Sequence, residues 1–382
     1  MRKRWIRTGI VLLFLLVLGT VVLRTPKLKR TEAKSDRTVQ DETVLHGETD
    51  YTAMSEKELL VLAYDGDAEA CYRLGVLYDY GVSPTQQNFT SAMEWYRTAD
   101  AYGNRKAACA IGYLYLNGCG VAADREAARG YFVRAVNLGD EEGYVGLGRI
   151  GLEQGETGEE LAGYFQQAKA AGILDGAYYL GYLYEKGIGT RRKPKRAYKL
   201  YESVAFSDSS AVEDQFAIHA AMTRLGILCM EGIGTEASQA AAREWFERAA
   251  ESGYAMAQYY LGILYEMGYG VPVDYNRALT WLEAAAQQDY APAYNEIGCM
   301  YFNGYGVDVN YEEALYYQKL AAALGYEKAQ VNLGYLYENG YGVEQDLSAA
   351  LMYYRMAKET GYAGADEAEA RIRARMEGMK EK

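Results

Sequence analysis

Two histidines, His46 and His219, and five cysteines, Cys71, Cys109, Cys119, Cys229 and Cys299, are the residues of this 382-residue chain best suited to metal binding or nucleophilic chemistry. Their spacing supports neither. No two cysteines form a CxxC pair, whereas a zinc site or a dense disulfide framework needs sulfurs at short, regular intervals. Each cysteine therefore reads as a small buried hydrophobe. His219 has no partner at a spacing that would make a nucleophile–base pair, and no carboxylate dyad stands out. No catalytic residue, metal or cofactor is expected. The residue in excess is tyrosine, with 38 copies against 8 Phe and 4 Trp. That bias calls for a repeated structural or binding role.

The elements that carry the tyrosines repeat. A Leu-Gly or Ile-Gly pair recurs with its glycine at Gly75, Gly112, Gly148, Gly181, Gly226, Gly262, Gly298 and Gly334, at intervals of 37, 36, 33, 45, 36, 36 and 36 residues. Eight copies at this period mean stacked units rather than separate globular domains. Five residues before each glycine stands a small residue, such as Ala257, Ala293 or Ala329. Two after it stands Leu, Ile or Met, such as Leu264, Met300 or Leu336. With the Leu or Ile before the glycine, these fall on one face of a helix. A glycine inside a helix costs about 1 kcal/mol relative to Ala, so eight of them imply a close helix crossing that a side chain would block.

The first helix of each unit stops at Gly-x-Gly-Val or a near relative, as in Gly268–Val271, Gly304–Val307 and Gly340–Val343. Glycine takes the positive φ that ends a helix. This is not a phosphate loop, because no strand precedes it and no Lys-Ser/Thr follows. The second helix carries Ala and then aromatics, as in Ala314/Tyr317 and Ala350/Tyr353/Tyr354. It ends at a glycine, or once at Asp289, often followed by Tyr: Tyr254, Tyr290, Tyr326 and Tyr362. A glycine with an apolar residue after it reads as a Schellman-type stop.

The string Ala329–Val343, AQVNLGYLYENGYGV, with Asp346, Ala350, Tyr353, Tyr354, Ala357 and Gly361 behind it, resembles a Sel1-like repeat. Residues 257–271 and 293–307 match nearly as well, and the resemblance spans about residues 70–361. It implies an all-α fold, a right-handed α/α solenoid of about eight helical-hairpin repeats related to tetratricopeptide arrays, serving as a binding scaffold. Copies three to five depart from the pattern. The third lacks the Gly-x-Gly loop, and the fourth carries a basic run and is followed by nine extra residues near 206–215. The expected organisation is a basic segment 1–7, a membrane or signal-anchor helix 8–23, a polar tether 24–54, a leading cap helix 55–66 opened by a Ser55/Glu58 capping box, the repeats 67–362, and a polar capping helix 363–382.

Binding residues are sought where the pattern varies. Relative to the marker glycine, positions −2, +1 and +5 share one stripe of the first helix. In helical-pair solenoids that helix lines the concave surface. Arg73, Tyr113, Tyr179, Tyr182, Arg224, Tyr260, Glu296, Asn332 and Tyr335 are the groove candidates on this basis, Tyr and Arg being frequent hot-spot residues. The second candidate is the basic loop Arg191, Arg192, Lys193, Lys195 and Arg196 around Pro194, which could dock an acidic partner or anionic headgroups.

Charge and hydropathy set the context. Residues 1–30 hold eight Lys/Arg and no acid, so the remainder carries 32 − 52 = −20 of the chain's net −12. A body that acidic repels phosphate, which excludes DNA and RNA as partners. The uncharged run Thr8–Leu23 lies between basic flanks and would make a helix of about 24 Å, with Lys and Arg able to snorkel. No A-x-A cleavage site is visible, so an uncleaved single-pass anchor with an extracytoplasmic body is expected, secretion after cleavage being the alternative. The expected function is a non-enzymatic, membrane-anchored scaffold holding a protein or peptide. A glycan- or peptidoglycan-binding role is the alternative. A β-lactamase-like activity, implied for some relatives with paired cysteines in each repeat, is disfavoured because such pairs are absent.

Overall fold

The computed structural model describes residues 50–81 and 85–380. The anchor expected at 8–23, the segment before it and most of the tether lie outside the described residues. Within them, 18 α-helices and one short 3₁₀ turn occur, with no strand, and no helix is long and apolar enough to cross a membrane. The chain divides into two compact units, Met1–Asp124 and Arg125–Lys382.

The first unit holds α1 (Glu56–Tyr64), α2 (Ala68–Tyr80), α3 (Phe89–Ala101) and α4 (Ala107–Asn117). Ser55 and Glu58 form the capping box at the start of α1: the Glu58 carboxylate accepts from the Ser55 N–H at 2.8 Å while Ser55 Oγ accepts from the Glu58 N–H at 3.4 Å. Helices α2 and α3 pack as an antiparallel hairpin around Leu74, Tyr96 and Ala99, all essentially buried.

The second unit begins with α5 (Arg125–Asn137) and continues as hairpins of paired helices. These are α6 (Glu142–Glu153) with α7 (Glu159–Ala170), α8 (Leu174–Lys186) with α9 (Pro194–Ala205), and α10 (Val212–Glu231) with α11 (Gln239–Glu251). Then follow α12 (Ala255–Met267) with α13 (Tyr275–Ala286), α14 (Ala291–Asn303) with α15 (Tyr311–Ala323), α16 (Glu327–Asn339) with α17 (Leu347–Glu359), and a last helix α18 (Ala365–Lys380). The expected all-α solenoid of helical hairpins is what forms.

The marker glycines do mark the crossings. A Cβ on Gly148 would stand 2.5 Å from the Phe165 ring, on Gly226 2.5 Å from Phe246, on Gly334 2.6 Å from Tyr354 and on Gly75 2.4 Å from Tyr96. Each ring belongs to the second helix of the same hairpin and is fully or almost fully buried, so the glycine makes the room that the aromatic fills. The first-helix stop works as the sequence implies: Gly268 and Gly270 have φ of 71° and 70°. The second stop is of Schellman type, with the N–H of Tyr254 donating to Ala249 O at 3.2 Å and that of Tyr326 to Ala321 O at 3.1 Å. Asp289 takes the glycine's place with φ 55°, the sole positive φ outside glycine among the described residues.

Two irregularities resolve. The third copy, despite its missing loop motif, is an ordinary hairpin of α6 and α7. The extra residues after the fourth copy form a short loop and then lengthen α10 at its N-terminus, giving it 20 residues where other first helices have 11 to 13.

Candidate functional site

Which side of the stack is the inner one follows from helix packing. In the second unit α6 touches α8, α8 touches α10, and α10 touches α12, whereas consecutive odd-numbered helices make no comparable approach. From α6 to α12 the first helices therefore lie closer together than the second helices, and their solvent-facing stripe is the inner face of that stretch.

Along these helices the aromatic rings form two chains of contact, each starting at a buried phenylalanine of a second helix. In one, Tyr179 lies flat on Phe165, with centroids 5.1 Å apart and planes 19° from parallel. Tyr178 meets Tyr179 edge-on at 5.1 Å, Phe216 meets Tyr178 at 6.2 Å, and Tyr254 meets Phe216 at 6.3 Å. In the other, Tyr260 lies on Phe246 at 5.1 Å and 8°, Tyr259 meets Tyr260 edge-on at 5.3 Å, and Tyr290 meets Tyr259 at 5.5 Å. The Tyr178–Tyr179 and Tyr259–Tyr260 steps lie within one helix and the others pass to an adjacent helix or hairpin, so each chain runs along the array. Tyr179, Tyr254, Tyr259, Tyr260 and Tyr290 are neither fully buried nor fully exposed, which suits rings that pack on one face and present the other.

Burial raises the phenol pKa throughout the band. It is the main cause at Tyr254 and Tyr290, and also at Tyr259, where Glu296 adds a further upward push. Tyr326 is raised by burial and then by Glu296 and Glu327. These hydroxyls stay neutral hydrogen-bonding groups through the physiological range. His219, 6.2 Å from Tyr254 by ring centroids, is pushed down by burial and so favours the neutral imidazole.

The candidate residues separate on inspection. Tyr179 and Tyr260 belong to the band, and Tyr182 is half-buried on α8 beside it. Glu296 stands among the band's tyrosines. Asn332 donates to Asn295 Oδ1 at 2.9 Å, and Tyr335 lies 5.9 Å from Tyr341 and 6.1 Å from Phe302. Arg73 and Tyr113 lie in the first unit, Arg73 bound to Glu69 at 2.8 Å and set over the Tyr72 ring.

Arg224 corrects the expectation. It is 4% exposed, and its guanidinium forms a two-point ion pair with the equally buried Glu185, which also accepts from Tyr201 Oη at 3.0 Å. Burial opposes its charge, but Glu185, Tyr201 and Tyr178 outweigh that and hold the guanidinium more firmly protonated. This arginine joins two hairpins and is not an open contact for a partner.

The basic run is an exposed entry to α9, with Pro194 in its first turn. Lys193 lies over the Tyr184 ring at 5.1 Å and Arg192 donates to Glu185 O at 2.9 Å, while Arg191, Lys195 and Arg196 face solvent. No group of His, Cys, Asp or Glu among the described residues could hold a metal ion.

Sequence reading missed two features. The tyrosines following the helix stops, Tyr254 and Tyr290, read only as part of the stop, yet they complete the aromatic band. Their recurrence at 36-residue spacing was the available signal. The second is a buried or partly buried acid on a first helix accepting from a tyrosine hydroxyl on the second: Tyr96 to Asp79 at 3.0 Å, Tyr201 to Glu185 at 3.0 Å and Tyr354 to Glu338 at 2.9 Å. An acid followed 16 or 17 residues later by Tyr is its sequence trace.

The fold and its inner face define an α/α helical-repeat protein. The Sel1 repeat pattern matches residues 68–99, 105–140, 174–205, 219–254, 255–290, 291–326 and 327–362, and the chain belongs to that family. The hairpin of α6 and α7 falls between two of these matches, so the structure adds a copy that the pattern does not reach. A Sel1 repeat protein from Oxalobacter formigenes is similar in structure, with 23% identity, 86% of this chain and 98% of that one covered and a TM-score of 0.51. A protective antigen of uropathogenic Escherichia coli strains is 26% identical over 84% of this chain and 68% of that one, at a TM-score of 0.47. Among curated proteins, chitin synthase regulatory factor 3 of Schizosaccharomyces pombe is 29% identical over 142 residues, 35% of this chain and 15% of its own length. The ERAD-associated E3 ubiquitin-protein ligase component HRD3B of Arabidopsis thaliana is 28% identical over 102 residues, 26% of this chain and 16% of its own length. The match thus spans less than a fifth of either curated relative.

Proposed function

We propose that this protein is a non-enzymatic interaction scaffold that holds a protein or peptide partner on the first-helix face of its second unit, and that residues 8–23 anchor it in a membrane. The observation that carries the binding role is the set of half-buried tyrosines Tyr179, Tyr254, Tyr259, Tyr260 and Tyr290, held in two chains of ring contacts with the buried Phe165, Tyr178 and Phe246 along successive hairpins. Rings already held by packing lose little freedom on binding, which is why tyrosines make good contact surface. The names of the two curated relatives, a regulatory factor and a ligase component, fit a protein that acts through partners.

The test is crosslinked capture by the full-length chain beside a Tyr179→Ala, Tyr182→Ala, Tyr260→Ala variant. Arg224 is left intact because its loss would disturb the core. A protein held by the wild type and lost at least tenfold from the still-helical variant supports the groove. Equal capture by both would sink the groove assignment and turn attention to the 191–196 loop. Retention of polysaccharide alone would favour the glycan role.

A further inference from the structure

The aromatic band ends among different neighbours from those at its start. Its last members are Tyr259 on α12 and Tyr290 just before α14, and one hairpin further Tyr326 holds the same place before α16. Tyr259 and Tyr290 meet with centroids 5.5 Å apart and planes 57° apart. All three side chains are half-buried.

The charges around the rings differ along the band. Tyr179 has Arg149 near it and Tyr260 has Arg224, each of which offsets neighbouring acids. At Tyr259 and Tyr326, after burial, the largest influence is Glu296, and both hydroxyls are pushed up. Glu327 adds to this at Tyr326, but it has Lys328 beside it in the chain. Glu296 is half-buried on α14, with Asn295 Nδ2 at 3.5 Å. The polar groups next to it, the amides of Asn295, Gln318 and Asn332 around Cys299, bring no positive charge. The phenols are held neutral, so the charge at this end of the band is that of the carboxylates.

Elsewhere the chain lays its own cations over tyrosine rings. Lys193 stands 5.1 Å from the Tyr184 centroid, Arg277 5.5 Å from Tyr265 and Lys319 5.8 Å from Tyr337. No Lys or Arg among the described residues lies over Tyr259, Tyr290 or Tyr326 in this way. Half-open rings beside a carboxylate thus lack the cation that other tyrosines of the same array carry.

We infer that Tyr259, Tyr290, Tyr326 and Glu296 seat a lysine or arginine side chain of the partner, so that the segment held on the first-helix face is a basic peptide. The inference rests on the reading of that face as the binding face and adds the partner's chemistry to it. A cation over an aromatic face is attracted by the ring quadrupole, more strongly where both are partly out of water. The Glu296 carboxylate supplies the opposite charge, and the neutral phenol oxygens can accept from an ammonium's remaining protons. A neutral sugar would stack on the rings but leave the carboxylate unanswered, and an acidic segment would be repelled.

The experiment measures fluorescence anisotropy of a labelled peptide of eight Lys-Ser pairs with the full-length chain in neutral detergent. The same peptide with every lysine acetylated keeps the stems and lacks the charge. The lysine peptide is expected to bind at least about tenfold more tightly than the acetylated one. Glu296→Gln should weaken it at least about fivefold, and Tyr326→Leu, which removes a ring and no charge, about threefold. Glu244→Gln, which removes one exposed charge from the second helix α11, should change binding by less than twofold. Equal losses in Glu296→Gln and Glu244→Gln would mean that the peptide feels only the net charge, and would overturn the seat. Equal binding of the two peptides, or no effect of Glu296→Gln, overturns it as well. If Tyr326→Leu loses its helical circular dichroism, Glu296→Gln against Glu244→Gln decides. Failure of the seat leaves the groove standing wherever the Tyr179, Tyr182 and Tyr260 variant still loses its captured protein, so the two readings fail separately.

Discussion

At the scale of single residues, the buried acid–tyrosine pairs show how a repeat tolerates polar groups in its core. Asp79 accepts from Tyr96, yet burial dominates and lifts its carboxyl to about 6. A folded pKa above the unfolded value means that the folded chain takes up a proton between about pH 4 and pH 6. The associated stability is complete below that window and is lost as pH rises through it. Asp79→Asn stays neutral and keeps an oxygen for Tyr96. Its thermal midpoint should exceed that of the wild type at pH 7.5, by at most about 3 kcal/mol in stability, and the two should coincide near pH 4. Identical midpoints at both pH values would show that Asp79 is not titrating in this way. The marker glycines belong to the same scale: their spacing announced a close crossing, but the identity of the ring occupying each one came from the packed structure.

At the scale of elements, successive hairpins share an apolar core, and Arg224 adds a buried ion pair between two of them. It ties α10 to Glu185 on α8 across the lengthened connection between them. Removing one partner of a buried pair typically costs 3–5 kcal/mol, and here Lys186, 3.0 Å from Glu185 Oε1, would still answer part of the charge and sets the loss at the lower end. Arg224→Met should lose about that much in urea denaturation, and adding Glu185→Gln should restore part of it. A loss below about 1 kcal/mol would mean that water reaches the pair. Position −2 alone could not reveal this role. The same position carries Tyr179 and Tyr260 on the open band, and only the acid on the neighbouring first helix draws the arginine inward. Helix starts and stops were far more legible, because Gly, Tyr, Asn and Asp act through local hydrogen bonds that neighbouring residues decide.

At the scale of the whole molecule, charge and hydropathy argue for a chain with two distinct ends. Eight basic residues flank or lie near the Thr8–Leu23 run, and the remainder carries −20. The proposed anchor predicts that the full-length chain stays with membranes after high-salt and carbonate washing, whereas a chain lacking residues 1–30 is released. Release of both would remove the anchor and leave the binding role untouched. Each compact unit builds its core from neighbouring helices, as expected when every repeat contacts chiefly the ones beside it.

Period, helix pairing and turn positions were written in the sequence itself, since each depends on residues within one repeat and on the backbone freedom of a few glycines. Tertiary structure alone decided which variable residues share a surface. It drew Arg224 into the core, added Tyr254 and Tyr290 to the aromatic band, and gathered Asn295, Gln318 and Asn332 around Cys299. Those outcomes turn on contacts between helices far apart in the chain, where the partner of each side chain is set by how one hairpin packs on the next.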